Sequence, residues 1–331
     1  MTVLKWGLIG AGDIAQKRVA PALRDLPNCE LVSISRSRYE LSETFAKKFG
    51  ARKWFADWRE LIADEEIQAV YIATPVYLHS EQTIAAAEAG KHILCEKPMA
   101  LNVKECDEMI AACRTNNVKL GIAYYRRFYP VIARVKEIVE SGEMGTISVA
   151  QINAFEYFDP SRDDSRRWLL DPSKSGGGPM MDFGCHRLEV FINLFGAVSS
   201  VESHVSDAAF GRDVEDTASA LLKFENGCTA TLTVTHAAIE AQDTLDIYGT
   251  KGSIHIPVLN TGEMTVRTGK DARTEKHLPA ANVHEPLIDD FTRAVLRDRT
   301  PEVGGETGRE VSLLVEKIYR NKGDMAAGYS N

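Results

Sequence analysis

The chain has 331 residues, is 44% hydrophobic and 26% charged, and carries a net charge of -8 at pH 7. That is enough for two ordinary domains, each able to bury a core without metal or disulfide support. The acidic balance leaves no electrostatic footprint for nucleic acid or an anionic membrane, and no apolar run reaches membrane-spanning length.

Val3-Leu4-Lys5-Trp6-Gly7 already reads as a strand, which leaves no room for a signal peptide. The six cysteines (29, 95, 106, 113, 185, 228) form no Cys-x-x-Cys pair and no Cys/His spacing of a zinc site. Reduced thiols, a cytoplasmic setting and no metal are expected.

Strand and helix signals alternate over the first part of the chain. Leu4 to Gly10 is a short apolar strand, Asp13 to Leu26 a helix, and Glu30 to Ser35 a second strand. Tyr39 to Phe49 is helical, with Leu41, Phe45 and Phe49 spaced by four. Ala69 to Ala73, His92 to Cys95 and Lys119 to Ala123 are further strands, separated by helices over His79 to Ala89, which Gly90 ends, and Val103 to Thr115. This order predicts a doubly wound parallel sheet in an α/β fold, as a dinucleotide-binding domain over 1–123.

The pattern changes over 124–331, expected to form a second domain for substrate binding and oligomerisation. A helix near Val131 to Ser141 precedes an extended stretch, Thr146 to Phe158. A glycine-rich loop and a helix, Asp182 to Phe195, follow. Short strands are then predicted at Val214 to Phe224, Cys228 to His236, Ala241 to Tyr248 and Ser253 to Ile256, with a hairpin turn at Asn226-Gly227. Thr229 to Thr235 alternates with period two, Ala230, Leu232 and Val234 on one face and threonines on the other. The threonine face is either solvated or an oligomer surface.

Gly10-Ala11-Gly12-Asp13-Ile14-Ala15 fits the G-x-G-x-x-G/A phosphate cradle at a strand-to-helix turn. Gly10 permits the turn, Gly12 lets backbone approach a pyrophosphate, Ala15 lets the helix pack closely, and the helix start offers its N–H groups to the anion. Binding of NAD usually uses an acid near the end of the second strand. The residues here are Ser35-Arg36-Ser37-Arg38, with no acid. Arginine and serine donate to a 2′-phosphate, so NADP(H) is expected over NAD(H), unless both arginines are ordinary solvated loop residues.

Glu96-Lys97-Pro98 follows an apolar strand, so Lys97 belongs at the carboxyl edge of the parallel sheet, where it can polarise a carbonyl or stabilise an alkoxide. Glu96 either orients it or holds the nicotinamide ribose. Asp182 and His186, four apart on a predicted helix, share a face and follow Gly176-Gly177-Gly178-Pro179. Histidine suits proton exchange with an alcohol or carbonyl, and Asp182 orients it or binds a hydroxyl. Taken singly, the Glu-Lys pair also reads as structural or solvated, and the Asp-His pair as a surface ion pair.

These stretches together resemble the glucose-fructose oxidoreductase/inositol dehydrogenase (Gfo/Idh/MocA) family. The likeness spans nearly the whole length. It rests on Gly7 to Ala15, on Ala73-Thr74-Pro75 with His79, on Ala85 through Pro98, and on Gly176-Gly177-Gly178 leading to Asp182 and His186. It implies a Rossmann domain followed by an α/β domain with a large, mostly antiparallel open-faced sheet. It also implies homodimers or homotetramers built through that sheet, and hydride transfer on sugars, polyols or related carbonyls.

By resemblance, Lys97 polarises the reacting oxygen, His186 is the acid/base with Asp182 beside it, and Thr74, Pro75 and His79 lie on the cofactor side with Gly10, Gly12, Asp13, Ile14, Ser35 to Arg38 and Glu96. The chain looks most like NADP-dependent sugar or anhydro-sugar reductases. One departure is that Leu169, not arginine, follows Trp168, with Arg167 before it. Tyr125, Arg126 and Trp168 are the substrate-side candidates, since aromatic faces pack on sugar C–H faces. The alternative on the same fold is a catalytically silent NADP(H)-sensing regulator, a class that usually lacks the lysine or the histidine.

Overall fold

The computed structural model describes residues 2–320. They form two compact units, residues 2–125 with Ala280–Ser312, and Arg126–Pro279 with 313–320. The division departs from the expected single boundary at 123/124, because the chain returns to its first unit late. Helix Glu285–Leu296 explains the return. Its buried side carries Leu287, Ile288, Phe291 and Ala294, and the Phe291 ring lies 5.6 Å from that of Trp6 in the first strand. No element is expected from the pattern beyond Ile256, so this helix and the last one, Gly305–Arg320, are additions.

The first unit is built on a six-stranded sheet of β1 Leu4–Ile9, β2 Cys29–Ser35, β3 Lys53–Phe55, β4 Ala69–Ile72, β5 His92–Cys95 and β6 Leu120–Ile122. All neighbours are parallel, in the order β3-β2-β1-β4-β5-β6. Such strands are covered on both faces, which is why β4 is buried at every position. The strand order reverses between β1 and β4, the topological switch point where open α/β sheets bind ligands. Gly10 follows β1 there.

The second unit holds a nine-stranded, mostly antiparallel sheet. Its strands are β7 Ile147–Tyr157, β8 Val198–Ser206, β9 Thr217–Phe224, β10 Thr229–Thr235, β11 Ala237–Asp243, β12 Leu245–Gly249, β13 Gly252–Ile256, β14 Glu263–Thr268 and β15 Asp271–Lys276. The order is β15-β14-β13-β12-β7-β10-β9-β8, with β11 also on β7 and the β7–β10 pair parallel. The expected strand over 241–248 is split at Thr244, whose hydroxyl accepts the Asn153 N–H of β7 at 3.2 Å.

One face of this sheet is apolar. Ala150, Ile152 and Ala154 of β7, Ala230, Leu232 and Val234 of β10, and Ala218, Ala220 and Leu222 of β9 are all buried. Helix Cys185–Phe195 contributes to the same core, with the Phe191 and Phe195 rings 6.3 and 5.5 Å from Phe224. The other face carries Thr229, Thr231 and Thr233, half-buried, among the exposed Val149, Leu221 and Tyr248. Among the described residues no helix is long and apolar enough to cross a membrane.

Candidate active site

Two groups of expected site residues assemble, one within each unit. In the first unit the glycine turn closes on the ends of β2 and β4. The N–H groups of Gly10 and Ala11 both donate to the Ser35 carbonyl at 3.1 Å. Gly10 has φ +88°, and a Cβ there would stand 2.8 Å from the Ala73 carbonyl carbon and the Thr74 methyl. Only glycine fits both demands. Gly12, Asp13 and Ile14 are exposed, and a Cβ on Gly12 would meet only the Gly10 carbonyl oxygen, at 3.9 Å. The turn therefore presents open backbone at the head of a helix, and it fits a dinucleotide pyrophosphate.

That helix is not regular α throughout. A π turn, Ala15–Val19, precedes the α segment Ala20–Asp25. Pro21 has no N–H to return to the Lys17 carbonyl, which accounts for the wider turn. The Asp13 carboxylate pairs with Lys17 at 2.9 Å, both exposed. At the end of β2 the Ser35 side chain is buried, Arg36 is half-buried, and Ser37 and Arg38 are exposed. Neither arginine is ion-paired among the described residues.

His79 ties two loops of this unit together. Its Nε2 lies 2.8 Å from the Thr74 carbonyl and its Nδ1 3.0 Å from that of Pro98. Burial pushes its pKa below the usual histidine range, against the pull of those two carbonyls. A neutral imidazole has one N–H, so His79 donates to one of these carbonyls at a time while lying between the Thr74-Pro75 and Lys97-Pro98 segments. Lys97-Pro98 is a cis peptide.

Glu96, buried just before Lys97, accepts from the Tyr71 hydroxyl at 2.8 Å, has His284 Nε2 at 3.3 Å, and accepts the Lys97 N–H at 3.2 Å. Burial pushes its carboxyl upward. The hydrogen bond and charge of His284, then Lys97 and Tyr71, outweigh that and hold it below the usual range. Tyr125 packs on His284 with ring centroids 4.8 Å apart. Glu96 thus fixes the backbone from which Lys97 extends.

In the second unit Asp182 lies in a π turn, Met180–Gly184, and His186 in the α-helix Cys185–Phe195 that continues it. The regular helical spacing expected for this pair is therefore widened. The approach to the turn is pinned by Glu215. Its carboxylate accepts the N–H groups of Gly178 at 2.7 Å and Met180 at 3.0 Å, and the Tyr319 hydroxyl at 2.8 Å. Gly178 is glycine for close approach, since a Cβ there would collide with the Glu215 carbonyl. His186 is 3% exposed.

Trp168, half-buried, lies in the short helix Arg167–Leu170. Arg167 donates to the Pro160 carbonyl at 3.1 Å, so its guanidinium braces the preceding loop. Arg126, expected at the substrate, is 4% exposed, pairs with Asp243 at 3.2 Å and donates to Asn260 at 3.3 Å. Arg187 meets the same Asp243 at 2.6 Å. A buried arginine held by a carboxylate contributes to the frame of the unit.

Three acid or imidazole side chains escaped the sequence pattern. Besides Glu215, they are Glu156 near the end of β7 and His236, the residue after β10. His236 is wholly buried, and its Nε2 lies 3.5 Å from Glu156 Oε1 and 3.7 Å from Asp182 Oδ2. The side-chain ligand atoms of the three all fall within 4.8 Å of one another. Burial, then the Asp182 charge, pushes the Glu156 carboxyl upward. The available signal was positional. Both residues are polar groups at the ends of neighbouring parallel strands, a common place for ligand contacts.

Comparison with known proteins shows the family and the fold. The family described as an oxidoreductase family with an NAD-binding Rossmann fold matches residues 4–124, and the GFO/IDH/MocA C-terminal domain matches residues 132–255. The chain is 31% identical over 311 residues to 1,5-anhydro-D-fructose reductase of Ensifer adhaerens, covering 92% of each protein. Levoglucosan dehydrogenase, solved with NADH and levoglucosan, superposes with a TM-score of 0.87 at 27% identity, over 97% of each chain. Aldose-aldose oxidoreductase from Caulobacter crescentus, solved with glycerol, gives 0.88 at 27% identity, over 97% of each chain.

Proposed function

Because this chain belongs to the Gfo/Idh/MocA oxidoreductase family, we propose that it transfers a hydride between NADP(H) and a sugar, polyol or related carbonyl compound. The observation that carries the reading is that both chemical groups the reaction needs are present. Lys97 sits at the carboxyl edge of a parallel sheet whose glycine turn fits a dinucleotide, and His186 sits on the helix that Glu215 anchors.

When bound, NADP(H) supplies or accepts the hydride. Gly10, Gly12, Asp13 and Ile14 present backbone to the pyrophosphate, Thr74 and Pro75 border the cofactor, and His79 and Glu96 hold the loops that do so. Ser35, Arg36, Ser37 and Arg38 receive the 2′-phosphate, since a guanidinium donates to it and no acid repels it. Lys97 polarises the reacting oxygen and stabilises negative charge developing on it. His186 gives that oxygen a proton or takes one away, and Asp182 binds and orients beside it. Trp168 and Tyr125 supply aromatic faces to the substrate. The six buried cysteines, none in a disulfide, suit a reducing, cytoplasmic setting.

The experiment is a screen of NADPH oxidation and NADP reduction against 1,5-anhydro-D-fructose, levoglucosan, aldoses and inositols, with wild type and His186→Ala. The variant is expected to lose on the order of 10²- to 10⁴-fold in kcat while still binding NADPH. Unchanged turnover in His186→Ala refutes the role. No turnover of any compound by a wild type that binds NADPH would favour the cofactor-sensing regulator.

A further inference from the structure

We propose that Glu156, Asp182 and His236 form a binding site for one divalent transition-metal ion, for which zinc is the best match. The three are far apart along the chain, and no ligand spacing in the sequence announces them.

The sheet brings two of them together. β7 and β10 pair in parallel, with Ala154 opposite Val234 and Phe155 opposite Thr235, so the next positions, 156 and 236, lie side by side. The two-residue period puts both on the face of Ala150, Ile152 and Ala154 and of Ala230, Leu232 and Val234, the buried face. A buried apolar row therefore ends in a polar side chain on both strands. The π turn Met180–Gly184, which leads into helix Cys185–Phe195, supplies Asp182 as the third.

His236 is the residue that points to a ligand. It is 0% exposed, with the Phe158 and Phe183 rings at 5.0 and 5.3 Å. Neither ring nitrogen makes a hydrogen bond among the described residues. A buried polar group in that state is costly, and native structures rarely keep one without a ligand or a role. Its Nε2 lies 3.5 Å from Glu156 Oε1 and 3.7 Å from Asp182 Oδ2, too long for good N–H···O bonds. Those gaps suit neighbouring ligands of one ion. Zinc bonds of about 2.0–2.2 Å in a tetrahedron set ligand atoms about 3.4 Å apart. All three ligand atoms already fall within 4.8 Å of one another.

Charge and donor type agree with this. Two carboxylates and a neutral imidazole carry the two negative charges that a dication cancels. A mixed nitrogen and oxygen set suits zinc or manganese, whereas magnesium and calcium take oxygen ligands. Burial first, then the Asp182 charge, pushes the Glu156 carboxyl upward, and a cation between the two carboxylates reverses the second effect. The Glu156 and Asp182 side chains are 49% and 27% exposed, so the ion enters from the carboxylate side. It keeps a position open to water, as zinc sites with three protein ligands do.

Asp182 gives the site a consequence, which rests on the oxidoreductase reading above. The same carboxylate stands one wide turn before His186, where the proposed mechanism uses it. An ion bound there withdraws it from the reaction, so zinc inhibits turnover.

The test uses the full chain, stripped with a chelator, dialysed, and titrated with zinc chloride and manganese chloride by calorimetry. Wild type, His236→Phe and Glu156→Gln are compared, and metal content is read by mass spectrometry. Phenylalanine keeps an aromatic ring beside Phe158 and Phe183 and removes both nitrogens. Wild type is expected to bind one zinc per chain at micromolar concentration, more tightly than manganese. Each variant should lose at least about tenfold in zinc affinity. Zinc should lower wild-type turnover, a chelator should restore it, and His236→Phe should resist at least about tenfold more zinc.

A wild type that takes up no stoichiometric zinc overturns the site. Equal zinc affinity in both variants puts the ion elsewhere and overturns it too. Zinc held at the site without loss of turnover overturns the inhibition. If wild type turns over no compound at all, the oxidoreductase reading fails by itself, and the titrations alone decide the site. Glu156→Gln, at a half-exposed side chain, keeps the test open should His236→Phe not fold.

Discussion

Arg36 stands at the end of β2, where the proposed reading puts the choice between two nearly identical dinucleotides. It follows the buried Ser35, is half-buried itself, and its own N–H donates to the Phe55 carbonyl at 3.1 Å, which fixes the backbone it extends from. Charge-assisted hydrogen bonds contribute about 1.5–3 kcal/mol, and a carboxylate in the same place would repel a 2′-phosphate. Arg36→Glu should therefore weaken NADPH binding by at least about tenfold and leave NADH binding equal or improved, as read by fluorescence titration of both. A wild type that binds NADH more tightly than NADPH ends the assignment. Single residues were also where sequence reading failed. Arg126 was expected on the substrate side, but its pairing with Asp243, distant in sequence, was not legible there. His236 was invisible for the reverse reason, since its meaning comes from Glu156 and Asp182 on other elements.

At the level of elements, short apolar strands and glycine-ended helices were readable because local pattern decides them. All of the strands expected before residue 124 form, and so does the hairpin at Asn226-Gly227. The two π turns were not readable. One sits beside Pro21 inside a helix and the other just after Pro179 at a helix start, and only the folded surroundings decide whether such a helix breaks or widens. The return of Glu285–Leu296 to the first unit was hidden too, because its partner Trp6 lies at the far end of the chain.

The π turn that carries Asp182 depends on the Glu215 anchor. Removing that carboxylate leaves two buried N–H groups and a tyrosine hydroxyl without it, at about 1–3 kcal/mol for each unsatisfied group. Glu215→Ala should lower stability by more than about 3 kcal/mol in denaturant melts, and where still folded should lower kcat more than NADPH affinity. A loss under about 1 kcal/mol would show that the loop has another hold.

The β14–β15 edge gives a prediction with a definite pH sign. Glu275 is held down to about 2 chiefly by its hydrogen bond to Arg134, against desolvation, with Arg273 and His277 adding to it. A carboxylate whose folded pKa is depressed stabilises above its unfolded value, and that contribution is lost as pH falls through the folded one. The window here runs from the ordinary 4.5 down to about 2. Glu275→Gln should melt below wild type at pH 7, by a few degrees for a loss of about 1 kcal/mol, and the two curves should converge as pH approaches about 2. Parallel curves across that range would show that the ion cluster does not act through this proton.

On the scale of the whole molecule, one face of the nine-stranded sheet has no element packed over its exposed apolar side chains among the described residues. The residue pairs Val149–Tyr248 and Leu221–Thr231 set Val149, Tyr248 and Leu221 on the face with the threonine row, at 38%, 39% and 42% exposure. Hydroxyl pairs such as Ser219–Thr233 at 3.2 Å stiffen that face without covering it. A broad flat surface of this kind suits a two-fold interface, where each copy offers the same patch and a stable dimer buries roughly 800 Å² per partner. We therefore expect a homodimer or homotetramer through this sheet. Leu221→Lys with Tyr248→Glu puts charges into that patch without touching the buried face, so far-UV circular dichroism should be unchanged. Light scattering at low micromolar concentration should show the wild-type assembly falling to a monomer. A wild type that is monomeric at every concentration, or a double variant that keeps its assembly, would mean that the threonine face is only solvated, because charges introduced at a merely solvated surface leave the assembled mass unchanged.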